Sequence, residues 1–317
     1  MVAPAYKCAG CIEELYRRLV PVLSDISPEY EIIFIDDGSP DRDWAVISEL
    51  CAKDLKVRGI RLSRNYGQHF AITAGLDASY GKWVIVMDCD LQDIPEEIHK
   101  LYDKAMEGND IVFARRLSRS DSIYRRFASN FFNLFYNWLG DIEFDNSIAN
   151  FSICSHRVIE SVCKFRERNR SFPLFVFEVG FRRATIDVVH GFRYDGESSY
   201  NFSKLFDLGI QCILARSNKP LMLSIRFGFM LSILSLIFGC VILFRYLFNE
   251  IGVPGWTTLA LLISFLGGLG FANLGILGLY LGRVFDEVKN RPLYIVQKSL
   301  NDPIGSSNKE NTTRPHA

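Results

Sequence analysis

The sequence predicts an α/β domain built on a mainly parallel sheet, followed by an apolar two-helix hairpin long enough to cross a membrane. Three observations carry this reading. Through the first 115 residues, short β-rich runs alternate with helical ones. Two of those runs stop abruptly at aspartates, Asp36-Asp37 and Asp88-Cys89-Asp90. Residues 227–248 and 256–281 are almost uncharged.

In chain order, Glu31–Asp36 reads as a buried strand, Trp44–Lys53 as a helix and Gly59–Leu62 as a strand. Phe70–Ser79 reads as a helix, Lys82–Met87 as a strand, Pro95–Glu107 as a helix and Asp110–Ala114 as a strand. Alternation at this spacing implies parallel strands covered on both faces, with ligands at the carboxyl ends of the strands. Ile123–Leu139 carries a stripe of Phe127, Phe131, Phe135 and Trp138 behind Arg125 and Arg126. A helix packed on the sheet and a membrane-contacting helix suit it equally well. Ser203–Arg216 reads as an interfacial helix because it just precedes the first apolar span.

Phe227–Phe248 has one charge, Arg245, near its end, and Trp256–Leu281 has none. Both exceed the roughly 20 residues that cross hydrocarbon. Lys219 and Arg226 precede the pair, Arg283, Lys289 and Arg291 follow it, and the 249–255 link holds no Lys or Arg. The positive-inside rule therefore places both ends in the cytosol. Gly278 and Gly282 form a GxxxG pair that suits close helix contact, within the hairpin or in a homo-oligomer. The expected division is a domain at 1–202, interfacial helices at 203–226, spans within 227–281, a cytosolic segment at 282–300 and a disordered tail at 301–317.

With 317 residues and a formal net charge of zero, the chain lacks the basic footprint of a nucleic-acid binder. Of its eight cysteines only Cys8 and Cys11 form a CxxC, and no second pair completes a zinc site, so reduced cytosolic thiols are expected. No charged n-region and apolar run opens the chain, so a cytosolic N-terminal domain is expected.

Asp88 and Asp90, one residue apart at a strand end, suit a hard divalent ion whose shell a diphosphate completes, and Gln92 offers a further neutral oxygen. Asp36 and Asp37 suit ribose hydroxyls or a base N–H, with Gly38 permitting a tight turn. A turn with a helix cap at Ser39 or Asp41 explains the same residues.

The runs PAY at 4–6, IDDGSPD at 35–41, SRNYGQ at 63–68, TAGLDAS at 73–79 and MDCDLQDIPEE at 87–97 resemble the family 2 glycosyltransferases. GFRR at 180–183, RYDGESSY at 193–200 and LGRVFDEVKNRPLYIV at 281–296 narrow the likeness to the polyprenyl-phosphate branch. That branch includes bactoprenol glucosyltransferases, the undecaprenyl-phosphate aminoarabinose transferase and dolichyl-phosphate mannose synthases. The resemblance implies a GT-A, Rossmann-like catalytic domain. It implies a nucleotide pocket of Pro4, Ala5, Tyr6, Asp36, Asp37, Gly38 and Asp88, with Mg²⁺ or Mn²⁺ held by Asp88, Asp90 and Gln92. Asp90, Arg116, Asn150 and Arg193 then serve catalysis, and Arg126, Ser198 and Tyr200 the acceptor phosphate.

The chain departs from the family pattern in three places. Lys7-Cys8-Ala9 replaces an Asn-Glu-Glu, the first strand is short before Val2, and Asn150 stands where an acidic residue often does. The short strand raises the expectation of a misassigned start or a truncated N-terminus. The amide is tolerable because a phosphate monoester, with a second pKa near ~6, is already anionic and needs aiming rather than a base. The implied reaction is inverting transfer of a sugar from a nucleotide-sugar, UDP-glucose first, to undecaprenyl or another polyprenyl phosphate. It implies a place in the bacterial inner membrane and products for the cell envelope. UDP-N-acetylhexosamine, a UDP-aminoarabinose derivative and GDP-mannose stay open as donors. A processive polysaccharide synthase and an inactive membrane scaffold are the rivals, and the chain lacks the QxxRW motif of the first.

Overall fold

The computed structural model describes residues 1–116, 148–168, 170–189, 219–247 and 255–302. They fall into two compact units, one of Met1–Ser120, Phe144–Ser198 and Pro292–Ala317, the other of Asp121–Glu143 and Ser199–Arg291.

The first unit is a sheet covered by helices. Its strands are β1 (Val2–Ala5), β2 (Ile32–Asp36), β3 (Val57–Leu62), β4 (Trp83–Val86), β5 (Ile111–Arg116), β6 (Ile148–Ser155), β7 (Arg183–Val188) and β8 (Val296–Leu300). They lie in the order β7-β5-β6-β4-β1-β2-β3-β8. The run β4-β1-β2-β3 is parallel throughout, as the strand–helix alternation predicts. Antiparallel pairs join β6 to β4 and to β5, and β8 to β3.

The helices are α1 (Ala9–Ile26), α2 (Asp43–Lys53), α3 (Gln68–Asp77), α4 (Ile98–Met106), α5 (His156–Lys164) and α6 (Phe172–Glu178). Period-two alternation along β2 divides the core between the two faces. Ile32 and Phe34 pack with Ile12, Leu15, Ile47 and Leu101 of α1, α2 and α4. Ile33 and Ile35 pack with Ala71, Ile72, Ile159 and Phe175 of α3, α5 and α6. Gly75 lets α3 close on the sheet, since a Cβ there would lie 2.5 Å from Val2 Cγ1 and 2.7 Å from Ile35 Cδ1.

Several boundaries differ from the sequence reading. α3 begins at Gln68, not Phe70, because Gly67 (φ +103°) turns the chain and its carbonyl accepts from the Phe70 and Ala71 N–H groups. Pro95–Glu97 is a 3₁₀ turn ahead of α4, so the helix expected from Pro95 starts three residues later. The two apolar stretches belong to longer helices, α7 (Lys219–Leu247) and α8 (Trp256–Val288), whose polar ends continue the same backbone hydrogen bonding. Within this second unit Ser224 Oγ meets Asn273 Oδ1, and Asn273 Nδ2 donates to Leu269 O at 3.2 Å. Among the described residues, Phe265–Val288 is long and apolar enough to cross a membrane. The helices expected at Ile123–Leu139 and Ser203–Arg216 lie outside the described residues, as does the tail from 303 on.

α8 runs on to Val288, and the chain then rejoins the first unit. There Tyr294 donates to Asp77 Oδ2 at 2.7 Å, and β8 pairs with β3. Asn301, in the left-handed region (φ +56°), donates Nδ2 to Cys51 O and Val57 O, both at 2.8 Å. Asp302 lies 3.3 Å from Arg58, so 301–302 belong to the fold rather than to the tail. Asn301→Ala removes the Nδ2 hydrogen bonds and puts in the left-handed conformation a residue that tolerates it less well than asparagine. It should lower unfolding free energy by about 1–3 kcal/mol, read by urea denaturation of the detergent-solubilised chain.

Candidate active site

Parallel pairing of β1 with both β2 and β4 brings the loops after Ala5, Asp36 and Val86 to one end of the sheet. Chain connection reverses direction at β1, the kind of switch point where α/β sheets gather ligands. A cavity of ≈ 540 Å³ opens there, walled by Pro4, Ala5, Tyr6, Asp37, Asp88 and Asp90 with Asn65 and Gln68. That volume suits a small-molecule ligand.

The second loop organises the first. Ser39 Oγ accepts from Lys7 N at 3.0 Å, and Asp43 accepts from Cys8 N with both oxygens, at 3.1 and 3.3 Å. Asp37 does the same for the loop before α3: Oδ1 takes Tyr66 N–H and Oδ2 takes Gly67 N–H, each at 2.8 Å. Gly38 (φ +63°) lets these loops meet, because a Cβ there would lie 2.3 Å from Arg64 C. Its role in the fold is close approach to the 64–65 backbone, and it does not line the cavity.

Asp36 is fully buried behind the cavity wall. Its Oδ1 accepts from Ser39 N at 2.8 Å. Its Oδ2 has no hydrogen bond within the chain and lies 3.1 Å from Arg61 Nε. Burial pushes the Asp36 carboxyl above the usual range, opposed by the Ser39 N–H and by Arg61. Burial also raises Asp37, against the Tyr66 and Gly67 N–H bonds, and Asp43, against Cys8 N.

On the opposite wall Asp88 Oδ1 accepts two amide donors, Gln68 Nε2 at 2.7 Å and Asn150 Nδ2 at 3.2 Å. A carboxylate at 150 would set two acids at that distance, whereas the amide donates to Asp88 and aims it. Asp90 Oδ1 accepts from Gln92 N at 3.1 Å across a turn made by Leu91 (φ +60°). Gln92 thus contributes its backbone N–H to the loop. Asp93, buried, accepts from Asp88 N at 3.5 Å. Two hard carboxylates on one wall fit a divalent ion that takes its remaining ligands from phosphate and water. Among the described residues no cluster of three His, Cys, Asp or Glu side chains forms a complete protein-only site.

Of the residues singled out in the sequence, Pro4, Ala5, Tyr6, Asp37, Asp88 and Asp90 meet around the cavity, and Asn150 reaches it through Asp88. Arg116 ends β5, in register with Val188. Arg126, Arg193, Ser198 and Tyr200 lie outside the described residues. Sequence reasoning gave no role to Gln68 and Asp43. Gln68 was readable as a polar side chain at the start of a helix in SRNYGQ, whereas the Asp43–Cys8 tie is set by tertiary pairing alone.

Reduced thiols were expected throughout, but Cys8 and Cys89 form a disulfide with Cα atoms 6.7 Å apart. Each follows one of two adjacent parallel strands, which carries the two loops into bonding range.

Residues 1–174 match the family described as Glycosyl transferase family 2. The chain is 33% identical over 300 residues to the uncharacterised glycosyltransferase YkcC of Bacillus subtilis, covering 94% of this chain and 93% of that one. It is 36% identical over 304 residues to the undecaprenyl-phosphate 4-deoxy-4-formamido-L-arabinose transferase of Shewanella sediminis, covering 95% and 92%. The enzyme of the same name from Klebsiella pneumoniae is 33% identical over 319 residues, covering 98% and 96%.

The buried Asp36 has a pH signature. A carboxyl whose native pKa is raised costs stability once pH exceeds its unfolded value, about 4, and the cost grows until pH passes the native value. Asp36→Asn keeps the Ser39 bond and removes the charge. The variant should therefore gain on the parent as pH rises from about 4 towards 7, read as the difference in unfolding midpoints. A gap that shrinks over that range would mean that Arg61 outweighs burial.

Proposed function

The chain belongs to glycosyl transferase family 2, and from that premise we propose that it moves a sugar from a nucleotide-sugar onto a polyprenyl phosphate at a membrane surface. That it is a glycosyltransferase follows from the family. The observation that carries the donor side is the cavity, with Asp88 and Asp90 facing the Pro4–Tyr6 loop and Asp37. The acceptor is supported by relatives named as undecaprenyl-phosphate transferases, matched over more than nine-tenths of both chains.

Asp37 and the 4–6 backbone bind the nucleoside, and Tyr6, 45% exposed, offers its ring to the base. Mg²⁺ or Mn²⁺ bound at Asp88 and Asp90 would neutralise charge building on the departing diphosphate. Gln68 and Asn150 keep Asp88 oriented for that task. No side chain need take a proton from the acceptor, because its phosphate is already anionic near neutral pH. Asn150 accordingly positions Asp88 and does not act as a base. Single displacement with inversion is the expected course. Arg116 and Arg193 are assigned to catalysis, and Arg126, Ser198 and Tyr200 to the acceptor phosphate.

The membrane part of the proposal is the hairpin of α7 and α8. Two spans joined by the short 249–255 link would return both flanks to one side. The flanking Lys219, Arg226, Arg283, Lys289 and Arg291 make that side cytosolic. The Ser224–Asn273 contact is the kind of polar pairing that joins helices in lipid. The Gly278/Gly282 pair suits a homo-oligomer contact. Among the donors left open by the sequence, relatives named as 4-deoxy-4-formamido-L-arabinose transferases favour a nucleotide-linked aminoarabinose derivative. UDP-glucose rests on family resemblance alone.

The test is transfer itself. Purified protein, Mn²⁺ and undecaprenyl phosphate are incubated with each of four labelled donors: UDP-glucose, UDP-4-formamido-arabinose, UDP-N-acetylglucosamine and GDP-mannose. One donor should give chloroform-soluble, mild-acid-labile label, and Asp90→Asn should lower the rate by roughly 100-fold or more. A long polymer would favour a processive synthase, and no label with any donor would favour a scaffold.

A further inference from the structure

We propose that Cys8 and Cys89 form a reversible disulfide that clamps the metal-binding loop to the nucleoside-binding loop, making donor binding sensitive to redox state. The bond lies at the β1/β4 switch point, where Cys8 opens α1 and Cys89 sits between Asp88 and Asp90. Both sulfur-bearing residues are buried from bulk solvent, at 9% and 7% exposure, yet both line the cavity. A small thiol or disulfide entering the cavity therefore reaches the bond, whereas a protein surface does not.

The mechanical effect follows from what each cysteine is tied to. Cys8 N is fixed to both oxygens of Asp43, so the first loop is anchored to the start of α2. Cys89 is flanked by the two carboxylates and by Leu91 at φ +60°, and Lys7 beside Cys8 has φ +56°. Both loops turn sharply at the linkage, and the bond couples the metal loop to an anchored one across 81 residues of chain. The disulfide restricts the loop to an arrangement in which Asp88 and Asp90 line the open cavity, so the linked form binds metal–nucleotide more tightly. Cys51 and Cys154 lack this placement: burial pushes the thiol of Cys51 up to about 11 and that of Cys154 up to about 12, as inert parts of the core. In a reducing compartment such a bond is transient and reports oxidation.

Formation balances with a low-molecular-weight disulfide as oxidant. One cysteine sulfur attacks it, giving a mixed disulfide and one small thiol. The second cysteine then displaces the other small thiol, leaving the Cys8–Cys89 bond and two reduced small molecules. Phosphine reduction reverses it.

The affinity part rests on the proposed donor reading, so the test separates the two. The full-length protein in detergent is oxidised with glutathione disulfide or reduced with a phosphine, and read in three ways. Peptide mapping should find Cys8 joined to Cys89 after oxidation and both alkylated after reduction. With no nucleotide present, amides 88–92 should exchange roughly tenfold more slowly in the oxidised protein. UDP or GDP with Mn²⁺ should bind about fivefold more tightly to the oxidised protein, and C8S/C89S should lose all dependence on oxidant. A Cys8–Cys11 link, no link, or unchanged exchange at 88–92 would overturn the clamp. Equal nucleotide affinity in both states would overturn its effect on binding. If neither nucleotide binds in either state, the donor reading fails, while mapping and exchange still decide the clamp.

Discussion

The structure depends on one strand of four residues. β1 is wholly buried, pairs in parallel with β2 on one side and β4 on the other, and has Ala3 and Ala5 facing α1. Its other face, at Val2, is met by α3 through the gap left by Gly75. Because both pairings are parallel, three loops far apart in sequence leave the sheet at the same end. The ties of Ser39 to Lys7 and of Asp43 to Cys8 follow from that convergence, and the loop after β3 and strand β6 add the partners of Asp37 and Asp88. A one-residue slip of β1 would turn Val2 towards α1 and the alanines towards α3, and would move the loop after Ala5 away from its partners.

What the convergence brings together is a set of carboxylates that brace one another's loops. Asp43 holds Cys8 N, Asp37 holds the 66–67 backbone, and Asp36 holds Ser39 N. Asp88 in turn is held by Gln68 and Asn150. Three of these acids are buried enough for their carboxyls to be pushed above the usual range, a cost that an ordinary loop has no reason to bear. Of the three, Asp37 lines the cavity, while Asp36 and Asp43 brace the loops from outside it, and the buried Asp36 Oδ2 has no hydrogen bond from the chain but lies 3.1 Å from Arg61 Nε.

Much of this was legible because it is local. The apolar run before Asp36 and the run before Asp88 mark strands whose ends carry acids, and both strands formed within a residue or two of expectation. The features that escaped depend on distant partners. β8, VQKSL, is short, polar and mostly exposed, as edge strands are, and only its pairing with β3 reveals it. α1 carries a proline, Pro21, near its end, which hides an otherwise regular spacing of Ile12, Leu15, Leu19 and Val22. Asn150 reads from the sequence as a catalytic residue standing where an acid often does; its bond to Asp88 emerges when β6 pairs with β4. The disulfide escaped for the same reason, since Cys8 and Cys89 look unrelated until β1 and β4 lie side by side.

The central claim is that Asp88 and Asp90 hold a nucleoside diphosphate through a divalent ion in the cleft after β1, β2 and β4. Calorimetric titration of UDP and GDP into the full-length protein, with Mn²⁺ and with chelator, tests it most directly. The account predicts single-site binding of one of these nucleotides that requires Mn²⁺ and weakens by roughly tenfold or more in both Asp88→Asn and Asp90→Asn. Binding that persists in chelator, or that both variants leave unchanged, would contradict it.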